Sequence, residues 1–203
     1  MVVLIPSGKL IPAKAVLSWM NIIYPPNNNI VRIMTQGMEV GEAYSNAITN
    51  ILAHEQLRDF KWLLTIETDN LPPADGVLKL IEKMEDRTEL AALSGLYWTK
   101  GEMGAAQIWG DINDPVPNYR PQPPVPGEIV ECWGIGMGFA LWRLDMFKDE
   151  RLRKPWFKTV AGLEGVGTQD LYFWADAKKY GFRCGVDCSI LVGHLDPKTD
   201  IVW

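Results

Sequence analysis

Apolar residues recur along this chain in two periods, and the switching between them lays out a layered α/β fold. Residues 2–5 form a short unbroken apolar run that stops at Pro6-Ser7-Gly8. Residues 11–23 place Val16, Trp19, Met20 and Ile23 on one helical side, and Pro25-Pro26 with the Asn27–Asn29 run ends that pattern. Residues 30–34 read as a second strand. Residues 40–60 carry Ala43, Ala47, Ile51 and Leu57 at helical spacing, with His54 among polar neighbours on the solvated side. Residues 62–66, WLLTI, are apolar almost throughout, as in a strand buried on both faces. A helix over 74–84, begun at Pro72-Pro73, and a strand over 90–97 follow. Strand and helix thus alternate three times before a further strand. The expected fold class is α/β, with a Rossmann-like, mostly parallel central sheet flanked by helices.

The second half follows a different pattern. Residues 97–110 predict a small antiparallel excursion, and the proline-rich stretch 111–127 an extended loop. A strand over 128–133 runs into Gly134-Ile135-Gly136-Met137-Gly138, and apolar character resumes over 139–142, with a short amphipathic piece ending near Phe147. Residues 155–167 have little periodicity and three glycines, which predicts a mobile loop. A helix over 168–180 has Thr168 as its N-cap and Gly181 as its C-cap. Short strands over 182–187 and 190–192 precede Gly193-His194-Leu195-Asp196 and the tail. There is no internal repeat or linker, so a single domain over 1–203 is expected.

Composition narrows the function classes. At 203 residues the chain can bury a real core. A net charge of −5 without a long Lys/Arg run argues against a nucleic-acid partner. Cys132, Cys184 and Cys188 lack the paired spacing of a zinc site and read as reduced thiols in a cytoplasmic protein. No stretch has the make-up of a signal peptide or a transmembrane segment. Nine tryptophans are many for this length. Trp109, Trp133 and Trp156 lie beside glycine or proline and Trp98 between Gly95 and Gly101, where rings line grooves as well as fill cores.

The abrupt change after the buried strand at 62–66 is the chemical signal. Glu67 and Asp69 bracket Thr68 where a buried strand ends, which is where open α/β sheets bind ligands. Two carboxylates there suit a hard divalent cation, although Asp69-Asn70 ahead of two prolines also suits a plain turn. Three further features follow in order. The Gly134–Gly138 segment has GxGxG spacing, which serves either a close backbone approach to a ligand or a tight turn between strands. Asp170 stands in the first turn of its helix, where the dipole favours a carboxylate and the acid stabilises the helix. His194 lies near the C-terminus, as a metal ligand or as a hydrogen-bonded turn residue.

This ordered set resembles the GT-A-fold glycosyltransferases, in particular those like family 2, over nearly the whole chain. The resemblance implies a metal-binding DXD-type motif at Glu67 and Asp69, completed by His194. Glu67 stands where the family commonly has Asp, and it could hold the metal through water or contact the ribose instead. The resemblance further implies donor contacts from Pro6, Ser7, Gly8, Asn46, Thr68, Gly136, Met137 and Gly138. Asp170 becomes the general base, preceded by Gln169 where the family commonly has Glu. Gln169, Trp98, Trp133 and Trp156 are the acceptor candidates. Ser45 stands where many members carry Arg, and no Asp follows the second strand to read a uracil.

The expected activity is sugar transfer, with inversion, from a nucleotide-diphosphate sugar donor to a carbohydrate or other hydroxyl acceptor. Mn²⁺ or Mg²⁺ is the expected cofactor, with the imidazole tilting the choice toward Mn²⁺. Two rivals remain at this stage. A nucleotidyltransferase acting on a sugar phosphate shares strand-end carboxylates, and a non-catalytic glycan-binding module would use the tryptophan-rich groove.

Overall fold

Strands with apolar residues on both faces form the centre of the molecule, because each face has a helical layer to meet. The computed structural model describes residues 1–160 and 167–203. In chain order the elements are β1 (Val2–Ser7), α1 (Ala13–Met20), β2 (Val31–Gln36), α2 (Val40–Ala53), β3 (Trp62–Ile66), β4 (Asn70–Leu71) and α3 (Gly76–Asp86). Then come β5 (Leu90–Leu96), β6 (Ile108–Asp111), β7 (Ile129–Ile135), β8 (Phe139–Arg143), α4 (Gln169–Ala177), β9 (Arg183–Leu191), β10 (Gly193–Asp196) and β11 (Ile201–Val202). The main sheet has the order β2-β1-β3-β8-β5-β9-β7-β6. β1 pairs in parallel with β2 and β3, and β5 with β9, whereas β8 and β7 run antiparallel to their neighbours. β4, β10 and β11 form a separate small antiparallel sheet.

Period-two alternation divides the core into two layers. Val2, Leu4 and Leu63 face α2 with Tyr44, Ala47, Ile48 and Ile51. Val3, Ile5, Leu64 and Ile66 face α3 with Val77, Leu80 and Met84. Every residue of β3 and β5 is buried, while edge strand β2 alternates between half-buried and exposed. The α2 side carries the aromatic mass. Trp142 stacks on Trp174 at 5.4 Å and meets Phe147, Phe157 and Phe173 at 5.7–6.2 Å between ring centroids.

Several sequence expectations change in the fold. The helix expected to run to Phe60 stops at Ala53, because His54 turns extended (ψ 123°). Leu57 and Phe60 still pack on the core from the turns that follow, so their spacing imitates a longer helix. α1 is likewise shorter than 11–23, since the N–H of Ile23 leaves the helix to bond the carbonyl of Ala74. The apolar run over 139–142 is a full strand, β8, inserted antiparallel between β3 and β5. The two short strands near the C-terminus merge into β9 across a register shift. Gly181 closes the last helical turn with φ 83°, as a C-cap should, but Thr168 makes no capping bond to the helix backbone. Of the loop expected over 155–167, residues 161–166 lie outside those described.

The antiparallel excursion is present, with Trp98 bridged to Ala106 and β6 paired to β7. Among the described residues, no helix is long and apolar enough to cross a membrane.

Candidate functional site

The parallel strands β1, β2 and β3 release the chain at the same edge of the sheet, and a cleft opens there. It measures about 440 Å³ and is lined by Pro6 and Ser7 at the end of β1 with Gly8 and Lys9 just after it, Gly37 and Met38 after β2, and Glu67, Thr68 and Asp69 after β3. Val40 and Ala43 of α2 and Gln169 of α4 close its sides. A cleft at the carboxyl ends of parallel strands is where α/β sheets bind ligands. A larger hollow of about 640 Å³ lies at the opposite end of the strands, around Thr88, Arg143 and Asp149, far from the acid pair. The chemistry therefore points to the smaller cleft.

His194 reaches Asp69, which lines this cleft, through the small sheet. β10 pairs with β4 so that His194 opposes Asn70, and the N–H of Leu195 donates to the carbonyl of Asp69 at 2.7 Å. His194 Nε2 consequently lies 3.6 Å from Asp69 Oδ2. Its Nδ1 stands 2.6 Å from the carbonyl oxygen of Trp98. A carbonyl can only accept, so Nδ1 carries a proton, and Nε2 is the ring nitrogen left facing the Asp69 carboxylate. An imidazole tethered in this way through its other nitrogen is the usual support of a metal-ligating histidine.

The same Asp69 oxygen also accepts from Lys100 Nζ at 2.5 Å. Asp69 and His194 thus bring one carboxylate oxygen and one ring nitrogen together, with the Lys100 ammonium on the same oxygen. Among the described residues, no cluster of three His, Cys, Asp or Glu converges as a metal site.

The acids at the cleft are driven apart in protonation. Burial, then the charges of Asp69 and Asp170, raise Glu67 to about 8, against a hydrogen bond from the buried Tyr44 hydroxyl at 3.2 Å. Burial also acts to raise Asp69, but the hydrogen bonds and charges of His194 and Lys100 outweigh it and hold the group at about 2. Burial raises Asp170 above the ordinary carboxylate range, with partial relief from Thr168 and from the backbone N–H groups of Leu171 and Asp170 itself. The helix dipole alone predicts a readily ionised Asp170. Its burial at the foot of α4, 8% exposed, decides the direction instead.

A pH prediction follows from Glu67. Its folded-state value of about 8 lies above the ordinary 4.5. Its contribution to stability is therefore complete below about 4.5 and is lost as pH rises through about 8. Glu67→Gln, which mimics the protonated form, is expected to gain stability over the wild type as pH rises, by up to ~1.4 kcal/mol per pH unit. Urea midpoints from pH 4.5 to 8, taken in EDTA, measure this; parallel curves for the two proteins would place Glu67 in ordinary solvent.

The remaining expected residues divide. Asn46 is exposed on α2 and reaches the cleft only through Met38, whose sulfur lies 3.6 Å from its amide nitrogen. The close approach expected of the glycine segment is made against protein side chains. A Cβ on Gly136 would fall 2.2 Å from the Tyr97 hydroxyl, and one on Gly138 2.4 Å from Asn70 Oδ1. Met137 is buried, so its side chain is core and not a donor contact. Trp156 is also in the core, 2% exposed against Phe147. Trp98 and Trp133 are half-buried, and the Trp133 indole N–H donates to the carbonyl of Asp111 at 2.6 Å.

Tyr44, Tyr97 and Lys100 were not anticipated as site residues. Tyr44 sits on the apolar face of α2 and reads as core, and Lys100 reads as a turn lysine beside glycine. Neither sequence context signals the partner that the side chain finds.

No protein-family model matches the sequence, and no curated protein matches it by sequence. Likeness to solved structures is nonetheless clear at the level of fold. A197 from STIV superposes over 99% of this chain and 91% of its own, with TM-score 0.68 and 16% identity. S. aureus TarS 1–349 in complex with UDP-GlcNAc superposes over 91% of this chain, with TM-score 0.52 and 11% identity. The chain spans 55% of that TarS fragment. The shared property is a Rossmann-like mixed α/β fold.

Proposed function

We propose that this protein is a glycosyltransferase that moves a sugar from a nucleotide-diphosphate donor to a hydroxyl acceptor, with inversion. The observation that carries this reading is the meeting of Asp69 and His194 at the mouth of the strand-end cleft, 3.6 Å apart though distant in the chain. Support comes from the fold likeness to a protein crystallised with a nucleotide sugar. Pro6, Ser7, Gly8 and Thr68 would line the donor, and Asn46 would reach it only from the rim. Asp69 and His194 would hold Mn²⁺ or Mg²⁺, which when bound supplies Lewis-acid neutralisation of the leaving diphosphate. Glu67, protonated at neutral pH, would donate a hydrogen bond where an ionised acid would repel the diphosphate. Gln169 would orient the acceptor, with Trp98 and Trp133 as aromatic faces.

Asp170 is assigned as general base. Burial makes its carboxylate more basic than a solvated one, which strengthens its pull on an acceptor hydroxyl proton. Attack from that side, opposite the departing diphosphate, inverts the sugar carbon.

Thermal shift with a panel of nucleotide sugars, each with and without Mn²⁺, tests the reading. Ligand at a hundred times its Kd stabilises by about 2.7 kcal/mol, a rise of several degrees. Absence of a shift with every donor, in both conditions, would refute it. Release of pyrophosphate from a nucleoside triphosphate would point to a nucleotidyltransferase instead.

A further inference from the structure

We propose that Lys100 is the built-in counter-cation of the cleft, an ammonium that leaves Asp69 to take the diphosphate of a bound nucleotide. The proposal rests on the glycosyltransferase reading and adds a residue that no motif in the sequence assigns. Asp69 lines the cleft and is held ionised there, so a polyanion entering it needs a cation beside that carboxylate. Lys100 Nζ is already in place, on the Asp69 oxygen that also faces His194.

Its position is built by the fold. Lys100 belongs to a hairpin tied by the Trp98–Ala106 bridge and by the Thr99 N–H to Ala105 carbonyl bond at 2.8 Å. The Thr99 hydroxyl accepts from the N–H of Ala105 at 2.8 Å, and the N–H of Gly104 donates to the carbonyl of Gly101 at 2.9 Å. The same hairpin supplies the Trp98 carbonyl that orients His194. One short segment thus sets both the imidazole and the ammonium against Asp69. The charge of Lys100 also acts on Glu67 and Asp196, so several carboxylates feel this one cation. The side chain is 31% exposed and has four rotatable bonds. Its nitrogen can exchange a carboxylate oxygen for a phosphate oxygen without moving the backbone, and the exchange conserves a charge-assisted hydrogen bond.

The test is calorimetric titration in EDTA of the wild type, Lys100→Met and Lys100→Arg with pyrophosphate, which has no base or sugar to read, and with UDP. The expected result is metal-free binding by the wild type, weakened about 10- to 100-fold in Lys100→Met and largely kept in Lys100→Arg. Thermal midpoints of the three proteins, within a few degrees of one another, show that the fold is intact. Equal affinities for the wild type and Lys100→Met, or no binding by the wild type without metal, overturn the proposal. A parallel series with Mn²⁺ and UDP, GDP and ADP separates the two ideas. Binding that appears only with metal leaves the glycosyltransferase reading standing without Lys100. No binding in either series removes the reading itself, and Lys100 with it.

Discussion

Asp170→Asn is expected to lower sugar transfer by about 10²- to 10⁴-fold, the usual contribution of a positioned general base. Nucleoside diphosphate binding should stay within a few-fold of the wild type. The amide is nearly isosteric with the acid and keeps an oxygen to accept the N–H of Leu171, 2.9 Å from Asp170 Oδ1. Burying an amide is easier than burying a carboxylate, so stability should not fall. Release of nucleoside diphosphate, followed with the donor that thermal shift selects, gives the rate, and calorimetry gives the affinity. Burial raises Asp170, and the base must be deprotonated to act. The acidic limb of kcat/KM against pH should therefore lie above the ordinary carboxylate range and vanish in the variant. Undiminished transfer by Asp170→Asn would remove the base and the inverting chemistry with it.

Trp142→Ala is expected to destabilise the fold by about 3–5 kcal/mol, the range for truncating a large buried ring. Trp142 is fully buried where β8 faces α4. It stacks on Trp174 and touches three phenylalanines, and its indole N–H donates to Thr65 Oγ1 at 3.1 Å. Truncation opens a cavity between packed rings and leaves the Thr65 hydroxyl with only its bond to the carbonyl of Ala140. Urea denaturation monitored by far-ultraviolet circular dichroism measures the loss. A change below about 1 kcal/mol would mean that the surrounding rings close over the space. β8 packs against α4, whose first turn holds Asp170, so partial loss of donor-independent order at the site should accompany the destabilisation.

Fold class and cleft position were legible in the residues for a simple reason. A strand apolar on both faces, such as 62–66, fits only a sheet with layers on both sides, and polar residues at its end mark the open edge. The convergence of Pro6–Gly8, Glu67–Asp69 and Gln169 on one cleft follows from that periodicity plus the parallel direction of the strands. The placement of β8 was not legible. Its apolar run suits any central position, and only the competition among strands for hydrogen-bonding partners decides that it lies between β3 and β5. The burial of Trp156 is hidden for a similar reason, since a tryptophan beside proline looks the same in a groove and in a core until the neighbouring rings are in place.

By itself the amino-acid sequence determined the alternation of strands and helices, the acidic end of the central strand, and the order of the candidate acids and the late histidine. These are local properties, set by side-chain period and turn chemistry. Only the tertiary structure decided what the charged groups do. It raises Glu67 to about 8 by burying it beside two other acids, holds Asp69 ionised between His194 and Lys100, and turns the glycine segment toward Tyr97 and Asn70. Protonation and pairing depend on distance and dielectric between residues remote in the chain, and those arise only when the layers close.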